Sequence, residues 1–175
     1  AAEKSIAEVT PFSAVTLKQL DQLTGTFSVA DAAQVKTIEA RTNHDVKAVE
    51  YWLKDKFADN AEVMKVSEFI HFACTSEDIN NLSHGLMLKH ARENVLLPAI
   101  DKLAAKLTEL AHAHADVAML SHTHGQPASP TTMGKDMANV AYRLKSARQK
   151  ILAVNVNGKI NGAVGNYNAH LAAYP

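Results

Sequence analysis

The chain has 175 residues, of which 47% are hydrophobic, and its 18 basic residues balance its 18 acidic ones. This length suits a globular protein with a sizeable core, and the lack of a basic surplus offers no general attraction to nucleic acid or to an anionic membrane. The single cysteine, Cys74, cannot form an intrachain disulfide, and no apolar run approaches the roughly 20 residues that span a bilayer. We therefore expect a soluble, cytoplasmic protein.

The first part of the chain predicts two short helices. Apolar residues could line one side of a helix over 14–23, and a second helix is expected to end near Glu39. Its start offers two candidate capping boxes, in which a side chain at the N-cap and one three residues later satisfy each other's backbone N–H groups. These are Ser28 with Asp31, and Asp31 with Gln34.

A polar segment, 42–45, precedes the next predicted helix. Apolar residues at spacings of three and four indicate an amphipathic helix over 46–57, with Asn43 as its expected N-cap. His44 and Asp45 then lie in its first turn, where the helix dipole favours a carboxylate. Taken alone, His44 is interpreted as an ordinary exposed or core histidine, because a histidine outside a motif is weak support for function.

The longest helical pattern follows a second polar segment, 74–78. Ser76 is its expected N-cap, and Glu77 and Asp78 supply the acidic first turn that helices favour. Apolar residues then recur at helical spacing over roughly 55 Å of helix, at about 1.5 Å per residue. Pro98 is expected to kink this helix or to divide it in two. Helices of this length need partners along their sides, which indicates a helical bundle.

A third polar segment, 121–135, contains two histidines, two glycines and two prolines. Pro127 and Pro130 disfavour helix there, and either Thr131 or Thr132 can N-cap a helix that follows. The segment therefore predicts an irregular, histidine-bearing loop that leads directly into a helix. The alternative interpretation is a surface turn whose histidines are merely solvated.

The last part of the chain is rich in glycine, at 158–168, and is interpreted as either a hairpin or a binding loop. Its residue order matches neither the phosphate-loop nor the dinucleotide-binding pattern. The predicted fold class is all-α, a bundle of long helices with minor extended structure near the C-terminal end.

Each of the three polar segments precedes a predicted helix and carries hydroxyl, amide or imidazole groups. Such helix ends attract anions, and histidine transfers protons near neutral pH, so the pattern suits a ligand with several carboxylates or a phosphate. A metal site is the competing interpretation, because His122 and His124 would share one face of an extended segment. No cysteine pair or His-Glu-x-x-His motif accompanies them, so no metal is expected. The other histidines considered are interpreted as ordinary: His71, His84, His90 and His170.

Two of these segments resemble the signature regions of the fumarase/aspartase lyase superfamily. The segment 75–81, T-S-E-D-I-N-N, resembles the first signature, and 123–134, T-H-G-Q-P-A-S-P-T-T-M-G, resembles the second. Within the superfamily, the T-N-H-D-V of 42–46, the form T-H-G-Q and the stretch 158–170 are similar to the bacterial adenylosuccinate lyase family. The resemblance covers nearly the whole chain and is weakest before Asp31.

This resemblance implies a β-elimination that releases fumarate from adenylosuccinate to give AMP, and from the succinyl-carboxamide intermediate of purine biosynthesis. It implies no metal and no organic cofactor. It further implies that His124 is the general acid that protonates the departing nitrogen, and that Thr75 and Ser76 bind the succinyl carboxylate. The other substrate contacts that it implies are Asn43, His44, Asp45, Thr123 and Gln126.

The resemblance also carries expectations about assembly and domains. It implies a homotetramer whose long helices share a central bundle, with small-molecule partners (adenylosuccinate, fumarate and AMP) and neither nucleic acid nor membrane. Residues 1–67 would be the latter part of an N-terminal helical domain, and residues 68–175 the first part of the central long-helix domain.

The superfamily's catalytic serine loop, S-S-x-M-P-x-K-x-N-P, does not occur in these 175 residues, and neither does its N-terminal Arg-Tyr pair. We therefore expect an internal fragment that does not turn over substrate alone. Two alternatives stay open: another lyase of the superfamily, such as argininosuccinate lyase, and a non-catalytic helical oligomerisation module.

Overall fold

Eight α-helices and one two-stranded sheet form the part of the chain that the computed structural model describes, residues 6–175. The helices are α1 (Ala14–Thr26), α2 (Val29–Thr42), α3 (Asp45–Lys56), α4 (Ala61–Lys65), α5 (Ser76–Ala91), α6 (Leu97–Ala113), α7 (Met133–Ala153) and α8 (Asn168–Ala173). The antiparallel strands are β1 (Ala118–Thr123) and β2 (Gln126–Thr132). The all-α class is confirmed, but the extended structure lies in mid-chain and not near the C-terminal end.

The chain divides into two compact units. The first comprises the described part of Ala1–Leu82 together with Lys159–Pro175, and the second is Ser83–Gly158. The domain boundary expected at residue 67 stays a prediction. Among the residues from 6 onward, no helix is both long and apolar enough to cross a membrane.

The core of the first unit lies between α2 and α3. Ile38, Ala48 and Trp52 are buried there, and half-buried apolar side chains pack against them. The indole Nε1 of Trp52 donates a hydrogen bond to Gln34 Oε1 at 3.0 Å, and the Phe27 ring meets the indole edge-on with centroids 5.4 Å apart. The indole is thus packed while its polar N–H remains satisfied.

The helix starts of the first unit differ in part from those predicted. Ser28 and Asp31 form the capping box of α2, so this pair is the one of the two candidates that caps the helix. The prediction that Asn43 N-caps α3 is wrong, because Asn43 ends α2 in the left-handed conformation with φ 50° and donates its N–H to Glu39 O at 2.8 Å. Asparagine tolerates this conformation better than most residues. His44 takes the N-cap position of α3 instead.

In the second unit the long helical pattern is interrupted, as Pro98 predicted. A π-helical turn, Arg92–Leu96, separates α5 from α6, and Pro98 lies in the first turn of α6, directly after that π-helical turn. Helix α7 packs closely on the end of α6 at Gly134. A Cβ at that position would lie 2.7 Å from the Ala115 Cα, so only glycine fits without a backbone shift.

The irregular loop predicted before α7 is in fact the hairpin formed by β1 and β2. Pro130 pairs with Leu120 and Pro127 pairs with His122, with an irregularity between the two pairs. Proline is tolerated because each strand of a two-stranded sheet has a free edge. Thr132 N-caps α7 as predicted, its hydroxyl accepting from the Lys135 N–H at 3.2 Å.

Candidate active site

The N-terminal ends of α3 and α5 meet in the first unit through two side-chain hydrogen bonds. His44 Nε2 lies 3.0 Å from Ser76 Oγ, and Asn80 Nδ2 donates to Asp45 Oδ2 at 2.9 Å. His44 Nδ1 accepts from the Lys47 N–H at 3.2 Å. A neutral ring that accepts at Nδ1 carries its hydrogen on Nε2, so His44 donates to the Ser76 hydroxyl.

Asp45 is held as a carboxylate at this junction. The Val46 N–H donates to its Oδ1 at 2.7 Å, and this bond, followed by the Asn80 amide, lowers the pKa of Asp45 below its usual value. His44 Nδ1 lies 3.4 Å from the same oxygen. The side chains of His44 and Asp45 are 46% and 55% exposed, so both are accessible to a ligand in this unit.

Ser76 is the first residue of α5, not its N-cap, so that prediction is wrong. Thr75 precedes the helix and exchanges two hydrogen bonds with Asp78: the Asp78 N–H donates to Thr75 O, and the Thr75 N–H donates to Asp78 Oδ2, both at 3.0 Å. The bond from the Thr75 N–H to the Asp78 side chain is one of the two bonds of a capping box, with Thr75 as the N-cap and Asp78 at the third helical position. The Ser76 hydroxyl is therefore free of capping and available to His44.

Asp78 has no solvent-exposed surface, although it lies in the acidic first turn as predicted. Its carboxylate accepts from Lys159 Nζ at 2.7 Å, from the Asn161 N–H at 3.2 Å and from the Gly162 N–H at 3.1 Å. The Lys159 ammonium, followed by the Thr75 N–H, lowers the pKa of Asp78 to about 2. A buried carboxylate is thus fully paired and remains charged.

The glycine-rich stretch is a loop fixed to the first turns of α5. Asn81 Nδ2 donates to Lys159 O at 3.0 Å, and the Lys159 N–H donates back to Asn81 Oδ1 at 2.8 Å. Gly162 has φ 81°, a conformation that glycine adopts without strain. The stretch 158–168 contains no strand, so the hairpin alternative is wrong, and the binding-loop alternative stays a prediction.

A second buried acid, Glu50 of α3, lies close to the segment that leads into α5. It is 3% exposed and accepts from Lys47 at 2.7 Å, from Lys54 at 2.9 Å and from His71 Nδ1 at 3.0 Å. Burial alone would raise the pKa of Glu50, but the hydrogen bonds from its three partners lower it to about 2. His71, interpreted from the sequence as ordinary, therefore contacts a buried carboxylate.

In the second unit, His124 lies at the tip of the β1–β2 hairpin. Thr123 and Gln126 are paired across the strands, and His124 and Gly125 between them have φ 50° and 77°. Positive φ at both central residues is the mark of a type I′ turn, which presents His124 to solvent. Thr123, His124 and Gln126 are all exposed.

This geometry does not support the metal interpretation. His122 lies in β1 and His124 in the turn, so the expectation that both share one face of an extended segment is wrong. Across residues 6–175, no group of three or more histidine, cysteine, aspartate or glutamate side chains is placed to hold a metal ion.

Several polar residues that shape these sites were not predicted as site residues. Asn80, Asp78 and Asn81 lie inside the T-S-E-D-I-N-N segment, and their proximity to Ser76 was a usable signal. Lys159 and Glu50 could not be predicted as site residues, because in the sequence both look like ordinary surface charges outside the motif segments.

Comparison with known proteins agrees with the motif resemblance. The family model described as Lyase matches residues 1–175. Adenylosuccinate lyases from Haemophilus influenzae and Escherichia coli strain K12 are each 58% identical over 175 residues, which is 100% of this chain and 38% of each relative. The chain therefore spans well under half the length of these curated relatives.

Among solved structures, the 3-carboxy-cis,cis-muconate lactonizing enzyme from Pseudomonas putida matches with a TM-score of 0.72. The match covers 95% of this chain and 37% of that one at 22% identity, so it shows a shared fold alone. These findings confirm the resemblance predicted from the motif segments.

Proposed function

The chain belongs to the lyase family, and on that premise we propose that it forms part of an adenylosuccinate lyase. The reaction would release fumarate from adenylosuccinate to give AMP, and from the succinyl-carboxamide intermediate of purine biosynthesis. The observation that carries the proposal is the contact of two motif segments at two helix starts, His44 Nε2 to Ser76 Oγ at 3.0 Å. The 58% identity to adenylosuccinate lyases over the whole chain supports it.

The start of α5 suits a substrate carboxylate. The Ser76 oxygen accepts from His44, which leaves the Ser76 O–H proton to donate to a ligand oxygen. The Thr75 N–H is committed to Asp78, so Thr75 would contribute its hydroxyl. The dipole of the 16-residue α5 adds a favourable field for an anion. His44, Asp45 and the neighbouring Asn43 would contact other parts of the substrate.

His124 is the proposed general acid. In the elimination a base removes a proton from the carbon adjacent to the C–N bond, the electron pair forms the double bond of fumarate, and the nitrogen leaves with a proton from His124. Imidazole suits this task because it titrates near neutral pH. Thr123 and Gln126, which flank the turn, are proposed to contact the substrate beside it. No metal or organic cofactor takes part in the proposed reaction.

We also propose that the complete protein is a cytoplasmic homotetramer, in which residues 68–175 begin the central helical domain and residues 1–67 end the preceding one. Large apolar side chains exposed in the second unit support the assembly. Leu86, Leu88 and Val95 are 65–68% exposed and Tyr142 is 75% exposed. A helical assembly would bury such side chains against a partner.

The same exposed side chains favour a second candidate function, a non-catalytic helical oligomerisation module. The absence of the serine-loop motif from these 175 residues is consistent with it. The distinguishing observation is catalysis by the complete polypeptide that the gene encodes.

The test is fumarate release from adenylosuccinate by that complete polypeptide, with argininosuccinate as the competing substrate. We expect equimolar fumarate and AMP, and His124→Ala should lower kcat by about 10²–10⁴-fold, the usual contribution of a general acid. As a control, Asp101→Asn breaks an exposed bridge to Arg148 and should leave kcat unchanged. Release of fumarate from argininosuccinate alone, or from neither substrate, would refute the proposal.

A further inference from the structure

We propose that Asp78 is a positioning residue, which fixes Thr75 and Ser76 for the substrate carboxylate by holding the Thr75 N–H from inside the protein. Asp78 does not contact the ligand in this inference. It acts through Thr75, which precedes α5, and Ser76, which is the first residue of α5. The inference rests on the proposed function, because it assigns Thr75 and Ser76 to the carboxylate.

The contacts of Asp78 differ from those of an ordinary helix cap. A capping side chain at the third helical position satisfies one backbone N–H, that of the N-cap residue. Asp78 is fully buried and also binds the Gly162 N–H, 84 residues away in sequence. One oxygen, Oδ2, accepts from both Thr75 and Gly162, while Oδ1 accepts from Lys159 and Asn161. The Asp78 carboxylate therefore links the Thr75 N–H at the start of α5 to a distant loop.

The backbone before α5 explains why such a tie is needed. Ala73 has φ 57°, a left-handed conformation that costs an alanine about 1–2 kcal/mol. Without a fixed partner for the Thr75 N–H, the segment 73–76 would be free to relax towards ordinary backbone angles. Relaxation would move the Thr75 and Ser76 hydroxyls together, and it would break the 3.0 Å contact between Ser76 and His44.

The competing explanation is that Asp78 only anchors the loop that contains Lys159 and Gly162. Asn81 separates the two explanations, because it holds the same loop through the Lys159 backbone without touching Thr75. Removing the Asn81 side chain loosens the loop and frees the Glu77 and Asp78 carbonyls, but it leaves the Thr75 N–H held by Asp78. Removing the Asp78 charge loosens both the loop and the Thr75 N–H.

The experiment compares Asp78→Asn and Asn81→Ala in the complete protein, with fumarate and AMP as separate product inhibitors. For Asp78→Asn we expect the KM for adenylosuccinate and the inhibition constant of fumarate to rise about tenfold together, with kcat and the inhibition constant of AMP within about threefold. A purely structural role would shift both inhibition constants alike. Asn81→Ala should leave the fumarate constant within about twofold of wild type.

If Asp78→Asn does not fold, Lys159→Met is the deciding variant, because it removes the ammonium from the loop and keeps the bond between the Thr75 N–H and Asp78. We then expect the fumarate constant to stay within about twofold of wild type, whereas the loop explanation expects it to rise. For Asp78→Asn, equal rises in both constants or no rise in either would overturn the inference, and so would a tenfold rise of the fumarate constant in Lys159→Met or Asn81→Ala. A wild-type protein without activity would refute the proposed function and this inference with it, whereas an active wild type isolates the failure to Asp78.

Discussion

Replacing Glu50 by glutamine should destabilise the first unit by about 2 kcal/mol at neutral pH. Glu50 is 3% exposed and carries the only negative charge that contacts both Lys47 and His71 within the described residues. Lowering its pKa from 4.5 to about 2 corresponds to about 3 kcal/mol, since each pKa unit is worth about 1.4 kcal/mol. Because Lys47 is 39% exposed and water screens part of that attraction, we take about 2 kcal/mol as the expected loss.

The pH dependence of this loss has a defined sign. The folded-state pKa of Glu50 is below its unfolded value, so its contribution is fully present above about pH 4.5 and disappears as the pH falls towards about 2. The difference in free energy of unfolding between wild type and Glu50→Gln should therefore shrink over that window. Urea unfolding of the 175-residue chain, followed by circular dichroism at several pH values, measures it directly.

Glu109→Gln is the matched control, because it removes the same charge from a pair with Lys106 that is 2.7 Å long but exposed at 59% and 66%. Exposed pairs contribute about 0–1 kcal/mol, so this variant should lie close to wild type. Equal losses in the two variants, or a Glu50→Gln difference that does not shrink in acid, would refute the reasoning.

Two further substitutions test the packing of the second unit and its hairpin. Gly134→Ala should lower the free energy of unfolding in urea by about 1–3 kcal/mol, because the new methyl group would meet the end of α6. Gly85→Ala is the control, because its new methyl group would make only a 3.4 Å contact with a side chain, and its free energy of unfolding should not fall. Gly125→Ala should lower the free energy of unfolding by about 1–2 kcal/mol, because residue 125 has a φ of 77° that alanine adopts only with strain. In the complete protein it should also lower kcat by displacing His124. An unchanged kcat would contradict the proposal that the turn fixes His124.

Local chemistry predicted much of this fold. Apolar spacing identified the main helices, and the hydroxyls of Ser28 and Thr132 cap α2 and α7 as expected. Pro98 lies in the first turn of α6, directly after the π-helical turn that separates α5 from α6. Each of these signals acts within one or two helical turns, so it is readable from neighbouring residues alone.

The differences arise where a distant or unusual partner decides the outcome. Pro127 and Pro130 argued against regular structure, but a two-stranded sheet has free edges that accept them. Asn43 adopted a left-handed conformation that its residue type allows and does not require. The burial of Glu50 and Asp78 depends on the folded chain, which brings His71 to Glu50 and Lys159 to Asp78 from distant positions in the sequence.

The candidate site was predictable as residue types and not as geometry. The motif segments drew attention to His44, Ser76 and His124, and two of these are in contact within the first unit. The direction of the His44–Ser76 hydrogen bond, and the tie from Asp78 to Thr75, follow from backbone conformations that no local pattern specifies.

The most direct test of the account is fumarate release from adenylosuccinate, measured side by side for the complete polypeptide and for the 175-residue chain alone. We predict that the complete polypeptide releases fumarate and AMP in equal amounts, and that the 175-residue chain releases none, because its sequence lacks the serine-loop motif. A complete polypeptide that leaves adenylosuccinate intact would contradict the proposed function. Turnover by the 175-residue chain would contradict the need for that serine loop.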